Sequence, residues 1–527
     1  MRLIELFSEM PYAAALYQDL MKLRCSFCFA ADAQTPCLGG CNTLVYCNEQ
    51  CRENDHSNHK YECEALKKKA QISSFVRLLA RILTRRQVDQ GVVHLAENFP
   101  KNILDRCLTD LMSHRRDIGN SRERHATMVA AWTLFSDLFN GTPIMDTFEN
   151  VSRMYCVALI NCFSVSGAPS LKKGHEASLG LGFYLNTSRF NHSCRPDLFV
   201  CFSGARLFVE FPTEAKTEQE AAEERISITK SAQKFNRLTI NYGYSSSFTT
   251  DSFFPLRSQR RASLNHGYYF TCSCVVCGDE RQASLEEHAA ALECSQCAEP
   301  CLWKKVTYPP FICCMPAVET KYTCQKSCKC SWDATDVDDA KTYARSLNPG
   351  VEMKTLEEEF RLAMKPRIHL TEAQEIVNVC EPVLMKARYF WHRSGNLRLA
   401  QLNERSFVAY GSLVMAEWRA NKAVNHHNLK MALDTGEGVL KYCNTHPMNG
   451  SYVSIVAAYA YRLGRLYVIS AIINSMPQHA ESARSWYTHA NAIWEMQGDK
   501  NQSIVSQLRQ SWEQEAKKLG DSCMHVC

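Results

Sequence analysis

With 527 residues, the chain is long enough to bury two or three hydrophobic cores, and 46% hydrophobic with 22% charged residues is ordinary globular composition. No apolar run of about 18 residues occurs, the stretch from Tyr452 to Ile473 being broken by Arg462 and Arg465, so no helical membrane span is expected; Glu5 and Glu9 likewise argue against a signal peptide. A formal charge of +5 is too small to imply a broad nucleic-acid-binding surface.

Residues 2–7, Arg-Leu-Ile-Glu-Leu-Phe, read as a short strand leading into Pro11-Tyr12-Ala13. The chain holds 27 cysteines without a secretion signal, which points to metal binding in a reducing compartment. Their densest part is Cys25-x2-Cys28, Cys37-x3-Cys41, Cys47-x3-Cys51 and His59-x3-Cys63. Eight potential ligands in 39 residues, arranged as four close pairs, suit two tetrahedral zincs. A redox or free-thiol cluster leaves that regular pairing unexplained.

Residues 64–150 read as helices. Phe75, Val76, Leu78, Leu79, Ile82 and Leu83 form an apolar face, and Arg77, Arg81 and Arg85 form a stripe that is expected to be solvated. A second helical pattern covers Thr127–Leu138. From about Val151 the character becomes β-rich, through Ile160–Val165, Gly180–Tyr184 and a core strand at Leu207–Phe211. The segment from Glu214 to Arg225 holds five glutamates and reads as a solvated helical insert. Further on, Cys294-x2-Cys297, Cys301, Cys313-Cys314 and Cys324-x3-Cys328-x-Cys330 suit one more zinc, bound by Cys294 and Cys297 with two thiols of the last cluster; free or partly buried thiols are the alternative. From about Glu352 to Lys518 the chain is helical, with breaks near 394–396, 447–450, Pro477 and 498–499. Helices of roughly 20 residues in antiparallel pairs suggest a TPR-like stack, and Ala460 and Gly464 have the small-residue spacing that lets helices approach.

The chemistry concentrates in three separated segments: Asn191-His192-Ser193-Cys194, Thr239-Ile240-Asn241-Tyr242, and Cys272-x-Cys274-x2-Cys277. The last has three thiols and lacks a fourth, which Cys194, 78 positions away, is placed to supply. Such a metal would clamp the Asn-His loop against the segment that carries Tyr268 and Phe270.

This constellation resembles the catalytic half of a SET-domain lysine methyltransferase with its post-SET zinc site, and the eight-ligand pattern resembles a MYND zinc finger. Together they resemble the SET-and-MYND-domain (SMYD) family over nearly the whole chain, closest to its long, TPR-bearing branch. The resemblance implies an α+β multidomain fold: residues 1–24 as a truncated first part of a split SET domain, 25–63 as the MYND finger, 64–150 as a helical insertion, 151–270 as the SET core, 271–335 as the post-SET and cysteine-rich zinc region, and 336–527 as the TPR-like domain. It assigns Cys25, Cys28, Cys47 and Cys51 to one zinc, Cys37, Cys41, His59 and Cys63 to a second, and Cys194, Cys272, Cys274 and Cys277 to a third. Two four-thiolate sites carry about −2 each and the histidine site about −1, roughly −5 in all, so the metallated chain would be near neutral.

The implied activity is S-adenosylmethionine-dependent N-methylation of histone or non-histone protein lysines. It requires in-line alignment and a narrow aromatic channel that keeps the attacking amine neutral. Tyr242 and Tyr268 are the catalytic candidates; Asn161, Asn191, His192, Tyr242 and Phe270 are the cofactor-binding ones, with Phe270 near the adenine. The bland reading is that strand-end tyrosines commonly lie in cores with the hydroxyl satisfied at the rim. Expected partners are a protein substrate and peptides bound by the finger or the helical domain, with no membrane or nucleic acid; the expected state is a monomer in the cytoplasm, the nucleus or both.

Five departures from the family pattern stand out. The Gly-x-Gly turn expected before the strand at 2–7 is missing, which suggests a truncated form or start-site variant, or crippled cofactor binding. Pro196-Asp197 stands for the usual Pro-Asn, Phe235-Asn236 for Gly-Glu, and His56 for the finger's tryptophan. The second finger pair is also one residue longer, across Leu38-Gly39-Gly40, whose glycines could absorb the insertion. These departures motivate the alternative of a catalytically silent interaction adaptor or transcriptional co-regulator.

Overall fold

The structure is a computed structural model that describes residues 2–89, 96–166, 178–242 and 257–280 (apart from 32 and 216), strand residues 292–293, 300–307, 318–324 and 331–332, scattered positions between 370 and 385, and 397–445 and 453–496. It is α+β. Strands β1 (Arg2–Glu9) and β2 (Ala13–Leu16) are followed by β3 (Thr35–Pro36), β4 (Val45–Tyr46), the helices α1 (Glu49–Lys68) and α2 (Ser74–Asp89), and β5 (Ala96–Glu97). Helices α3 (Arg115–Asn120), α4 (Arg122–Phe139) and α5 (Phe148–Asn161) come before β6 (Cys162–Ser166), β7 (Ser178–Phe183), β8 (Asn191–His192), β9 (Phe199–Ser203) and β10 (Arg206–Thr213). Then follow α6 (Glu218–Thr229), α7 (Ala232–Phe235), β11 (Thr239–Ile240), α8 (Arg257–Tyr268) and α9 (Val275–Gly278).

Among these described residues four small sheets build the β part, one of them the β3-β4 pair. Another has the order β5-β1-β10-β9 and a third β2-β7-β6, while β8 and β11 pair in parallel. Leu207, Val209 and Phe211 of β10 alternate into the core, the period-two pattern of a strand with one buried face. The pairing of β8 with β11 sets Asn191 opposite Thr239 and His192 opposite Ile240, so segments some 48 residues apart meet where the chemistry is expected.

Two expectations are corrected here. The chain does not turn β-rich at Val151, because α5 runs on to Asn161. Thr147 caps it, accepting from the Asn150 amide at 3.3 Å, and its inward face is Val151, Met154, Tyr155 and Ala158. The arginine stripe of α2 is not solvated either. Arg77 and Arg81 are buried at 0% and 3% exposure, and Arg85 donates to the Tyr12 carbonyl at 2.7 Å. The glutamate-rich segment is helical as expected, with Thr217 and Glu220 forming a capping box at the start of α6.

A further four-stranded antiparallel sheet is formed by β12 (Leu292–Glu293), β13 (Pro300–Thr307), β14 (Val318–Cys324) and β15 (Ser331–Trp332). Cys294, Cys297, Cys313, Cys314, Cys328 and Cys330 lie outside the described residues, as do the predicted breaks at 394–396, 447–450 and 498–499. The C-terminal region is helical: α10 (Leu397–Arg419), α11 (His426–Thr445), α12 (Val453–Asn474) and α13 (Pro477–Met496). Helix α13 starts on Pro477, the position where a missing N–H costs nothing, and packs closely on α12. A Cβ at Gly464 would come within 2.8 Å of the Tyr487 ring. Among the described residues no helix is long and apolar enough to cross a membrane.

Candidate metal centres and active site

Three groups of thiols and imidazole come together, each with its ligand atoms within 4.8 Å of one another: Cys25, Cys28, Cys47 and Cys51; Cys37, Cys41, His59 and Cys63; and Cys194, Cys272, Cys274 and Cys277. A tetrahedral zinc with bonds of about 2.3 Å would hold sulfurs about 3.8 Å apart. The observed separations bracket that edge: Cys28 to Cys47 is 3.4 Å, Cys28 to Cys51 4.0 Å, Cys37 to Cys63 3.7 Å, Cys41 to His59 Nε2 3.5 Å, and Cys194 to Cys272 3.9 Å. All three donor sets fit zinc. Helix α1 carries Cys51, His59 and Cys63, so one rigid element serves both finger sites. The longer second pair closes through its glycines. Gly40 has φ +80°, and a Cβ on Gly39 would lie 2.4 Å from Cys63 Sγ, while the Gly39 amide donates to Cys37 Sγ at 3.2 Å.

Behind the second finger site lies a buried ionic network. His59 Nδ1 is 2.9 Å from Glu62 Oε2, the carboxylate–histidine arrangement that orients a ligating ring. Glu62 also receives Arg77 at 3.2 Å and Arg81 at 2.7 Å, and Arg81 forks onto Asp55 at 2.9 and 3.1 Å and onto Ser26 at 2.9 Å. The two guanidiniums and His59 hold the Glu62 carboxyl well below its usual range against full burial. Arg77 reaches on to the Leu16 carbonyl at the end of β2, so the finger and the sheet are tied through α2.

At the third site, Cys194 follows β8 while Cys272, Cys274 and Cys277 follow α8 and begin α9. Arg260, itself buried, points Nη2 at Cys277 Sγ from 3.6 Å, and Arg261 donates to the carbonyls of Cys272 and Cys277 at 2.9 and 2.8 Å. An aromatic cluster adjoins the thiols. Tyr242 has ring centroids 4.8 Å from Tyr268, 5.4 Å from His192 and 6.4 Å from Phe270. His192 links cluster and thiols: the Tyr242 amide, which can only donate, gives its proton to Nδ1 at 3.2 Å, so Nε2 carries the ring proton toward Cys194 Sγ at 3.4 Å. Desolvation lowers the His192 pKa to about 4, keeping the ring neutral. Burial raises the Tyr242 phenol to about 12 and pushes Tyr268 higher still. The Tyr242 hydroxyl donates to the Phe190 carbonyl at 2.9 Å. The result is a neutral, aromatic, partly buried patch beside exposed Asn191.

No family model matches the chain. Among curated relatives, the histone-lysine N-methyltransferase Smyd1 of Mus musculus is 27% identical over 284 residues, 52% of this chain and 50% of its own. The N-lysine methyltransferase SMYD2 of Homo sapiens is 23% identical over 512 residues, 96% of this chain and 92% of its own, and SMYD2-A of Danio rerio 22% over 515 residues, 97% and 92%. The chain thus spans about half the length of the Smyd1 relative and most of the two others. Over most of its length the chain is similar to members of the SMYD family.

Within this fold, the departures from the family pattern have local roles. Asp197 caps β11, its Oδ2 accepting from the Thr239 amide at 3.0 Å and hydroxyl at 2.7 Å. Phe235 is fully buried against Phe7 and Phe190, Asn236 accepts from Arg189 at 3.3 Å, and His56 is exposed on α1. Asn161 ends α5, and its amide nitrogen is already engaged by the carbonyls of Met112 and Val157 at 2.9 and 2.8 Å. Only its carboxamide oxygen remains to offer a ligand.

Glu9 is the residue that sequence reasoning missed, having weighed it only as a charge in an apolar run. It is fully buried and accepts from the Asn186 amide at 2.8 Å, the Thr187 amide at 2.9 Å and the Thr187 hydroxyl at 2.8 Å. It thereby fastens the short 3-10 turn Thr187–Arg189 that leads into Asn191. Burial raises its carboxyl from 4.5 to about 7, against those donors and the charge of Arg189. The folded state therefore keeps a proton that the unfolded chain releases near pH 4.5, so rising pH weakens the fold across that window. Relative to Glu9→Gln, the wild type should lose about 2 kcal/mol of stability between pH 5 and 7.5, read from urea midpoints of both proteins. Parallel pH profiles would contradict this.

Proposed function

We propose that this chain is an S-adenosylmethionine-dependent protein-lysine N-methyltransferase. The observation that carries the reading is the patch of Tyr242, Tyr268, His192 and Phe270 fastened to the Cys194 thiol group, in a chain whose relatives are named as lysine methyltransferases. When bound, the cofactor supplies an electrophilic methyl on a sulfonium. A neutral His192 and rings that present π faces suit such a cation and oppose it with no charge of their own. Asn191, His192 and Phe270 would hold it, with Asn161 contributing its carboxamide oxygen.

Tyr242 and Tyr268 stay protonated throughout the neutral pH range, so neither phenol takes the proton of the incoming lysine. Their role is to exclude water, favour the neutral amine by desolvation, and orient it through hydroxyl lone pairs. Because the Tyr242 proton is donated to the Phe190 carbonyl, that oxygen keeps its lone pairs as an acceptor.

Zinc in the three described groups would fix these elements. A fourth zinc belongs to the proposal. Glu293 pairs with Pro300, Cys301 with Cys324, and Thr323 with Ser331, so the strand ends that flank 294–299 and 325–330 lie at one edge of the sheet. We place the protein as a monomer in the cytosol or nucleus, where reduced thiols persist, with peptide partners on the finger or the helical region.

The test is transfer of labelled methyl from S-adenosylmethionine to lysines of a cell lysate by the zinc-loaded protein. Tyr242→Phe should lower turnover at least about tenfold while cofactor affinity is retained. No label on any lysine with the wild-type chain would sink the proposal.

A further inference from the structure

Tyr269 stands between the two walls of the proposed site, and its backbone is left-handed, with φ +61°. It follows the last residue of α8, and its amide donates to the Asn265 carbonyl at 2.9 Å. This is the helix-ending position where glycine is the usual occupant, because a side chain there crowds the backbone. The chain places a tyrosine instead, and two groups of the helical insertion grip it. The His114 ring stacks on it at 5.4 Å and 27°, and the Arg124 guanidinium lies 5.1 Å from its centroid. Arg124 also donates to the Tyr269 hydroxyl at 3.2 Å and to the Gly267 carbonyl, one of the helix's terminal acceptors, at 3.3 Å. His114 is left-handed too, at φ 45°. The carbonyl of Met112, two residues earlier, receives the amide of Asn161 at 2.9 Å.

The left-handed turn sets directions. Tyr269 faces the insertion, while its neighbours Tyr268 and Phe270 face Tyr242, at 4.8 and 6.4 Å between centroids. Where the helix end is anchored therefore decides where both walls stand.

We infer that Tyr269 is a positioning residue: clamped between His114 and Arg124, it holds Tyr268 and Phe270 in register with Tyr242 for cofactor and lysine. This rests on the methyltransferase reading. Tyr269 packs on His114 and Arg124, so its replacement is expected to act through its neighbours. Glycine at this position relieves the backbone crowding yet removes the clamp, which separates a stabilising role from a positioning one.

The experiment compares Tyr269→Gly, Tyr269→Ala and Tyr269→Phe in the zinc-loaded full chain. Readouts are the thermal midpoint, the S-adenosylmethionine dissociation constant, and the ¹⁹F resonance of Tyr268 in 3-fluorotyrosine-labelled protein, assigned by its loss in Tyr268→Phe. Tyr269→Gly is expected to keep or raise the thermal midpoint, to shift or broaden the Tyr268 resonance, and to weaken cofactor binding roughly tenfold. Tyr269→Ala should show the same two site effects with a lowered midpoint. Tyr269→Phe, which keeps the ring and its stack, should restore resonance and affinity. An unmoved Tyr268 resonance in both Tyr269→Gly and Tyr269→Ala overturns the inference. A displaced resonance in a chain whose wild type fails to bind the cofactor upholds the positioning role and overturns the methyltransferase reading instead.

Discussion

Replacing Arg81 by alanine is expected to remove about 3–5 kcal/mol of stability, the cost of leaving buried charges without their partner. Arg81 serves Asp55, Glu62 and Ser26 at once, from a side chain only 3% exposed, and both carboxylates are as deeply buried. Water cannot reach them, so nothing substitutes for the lost donors. Asp55 is the more vulnerable: desolvation already raises its carboxyl, with Arg81 the largest opposing charge. Lysine is a poor replacement, because one ammonium cannot reproduce a fork that spans two carboxylates and a hydroxyl. The effect should reach the metal as well. Glu62 orients His59, and loss of such a partner typically weakens a zinc site about 10–100-fold, so a chelator should strip zinc faster from the variant. Urea denaturation and timed zinc release measure the two effects. A loss below about 1 kcal/mol with unchanged release would show that the network is not the tie between finger and sheet.

What the sequence made legible was local chemistry at short spacing. Four close pairs of ligands announce two metals, because tetrahedral coordination needs pairs on tight turns, and alternation at Leu207–Phe211 announces a strand with one buried face. Cys194 was identifiable as a partner for Cys272, Cys274 and Cys277 because three thiols leave a tetrahedron incomplete. The failures share one cause, which is that burial is a property of partners distant in the chain. Arg77 and Arg81 look solvated until Asp55 and Glu62, on another helix, close over them. Glu9 looks like a break in an apolar run until the amides of Asn186 and Thr187, some 178 residues on, turn toward it. The run Tyr155–Ile160 suggests strand by composition, and the helix was signalled only by the weaker cue of Thr147 as its cap. Tyr269 had no cue at all, since nothing in a Tyr-Tyr-Phe run says which ring turns away.

Cys194→Ser should produce the largest loss of function. The substitution takes one of four thiolates from the site beside the aromatic patch, and metal analysis should fall by one equivalent, from four if the 294–330 site is filled and from three if it is not. Cys194 lies two residues from His192, whose ring passes between its sulfur and the Tyr242 amide. The other three thiols lie just past Tyr268 and Phe270. Releasing the metal therefore frees the Asn191-His192 loop from the segment that carries two of the four rings, leaving ring contacts and the Tyr268 hydroxyl, which donates to the Tyr242 carbonyl at 3.5 Å, to hold that segment. A displacement on the order of 1 Å is enough to cost about 100-fold in rate, and methyl transfer should fall at least that far, with cofactor affinity falling alongside. Cys272→Ser should behave identically. Cys47→Ser is the contrasting variant: it also removes a zinc ligand, from an exposed position in the finger, and should lower metal content by one equivalent while leaving cofactor affinity unchanged. Full activity in Cys194→Ser with one zinc lost would show that the aromatic patch holds its shape without the metal, and the role of the third site would then be confined to stability.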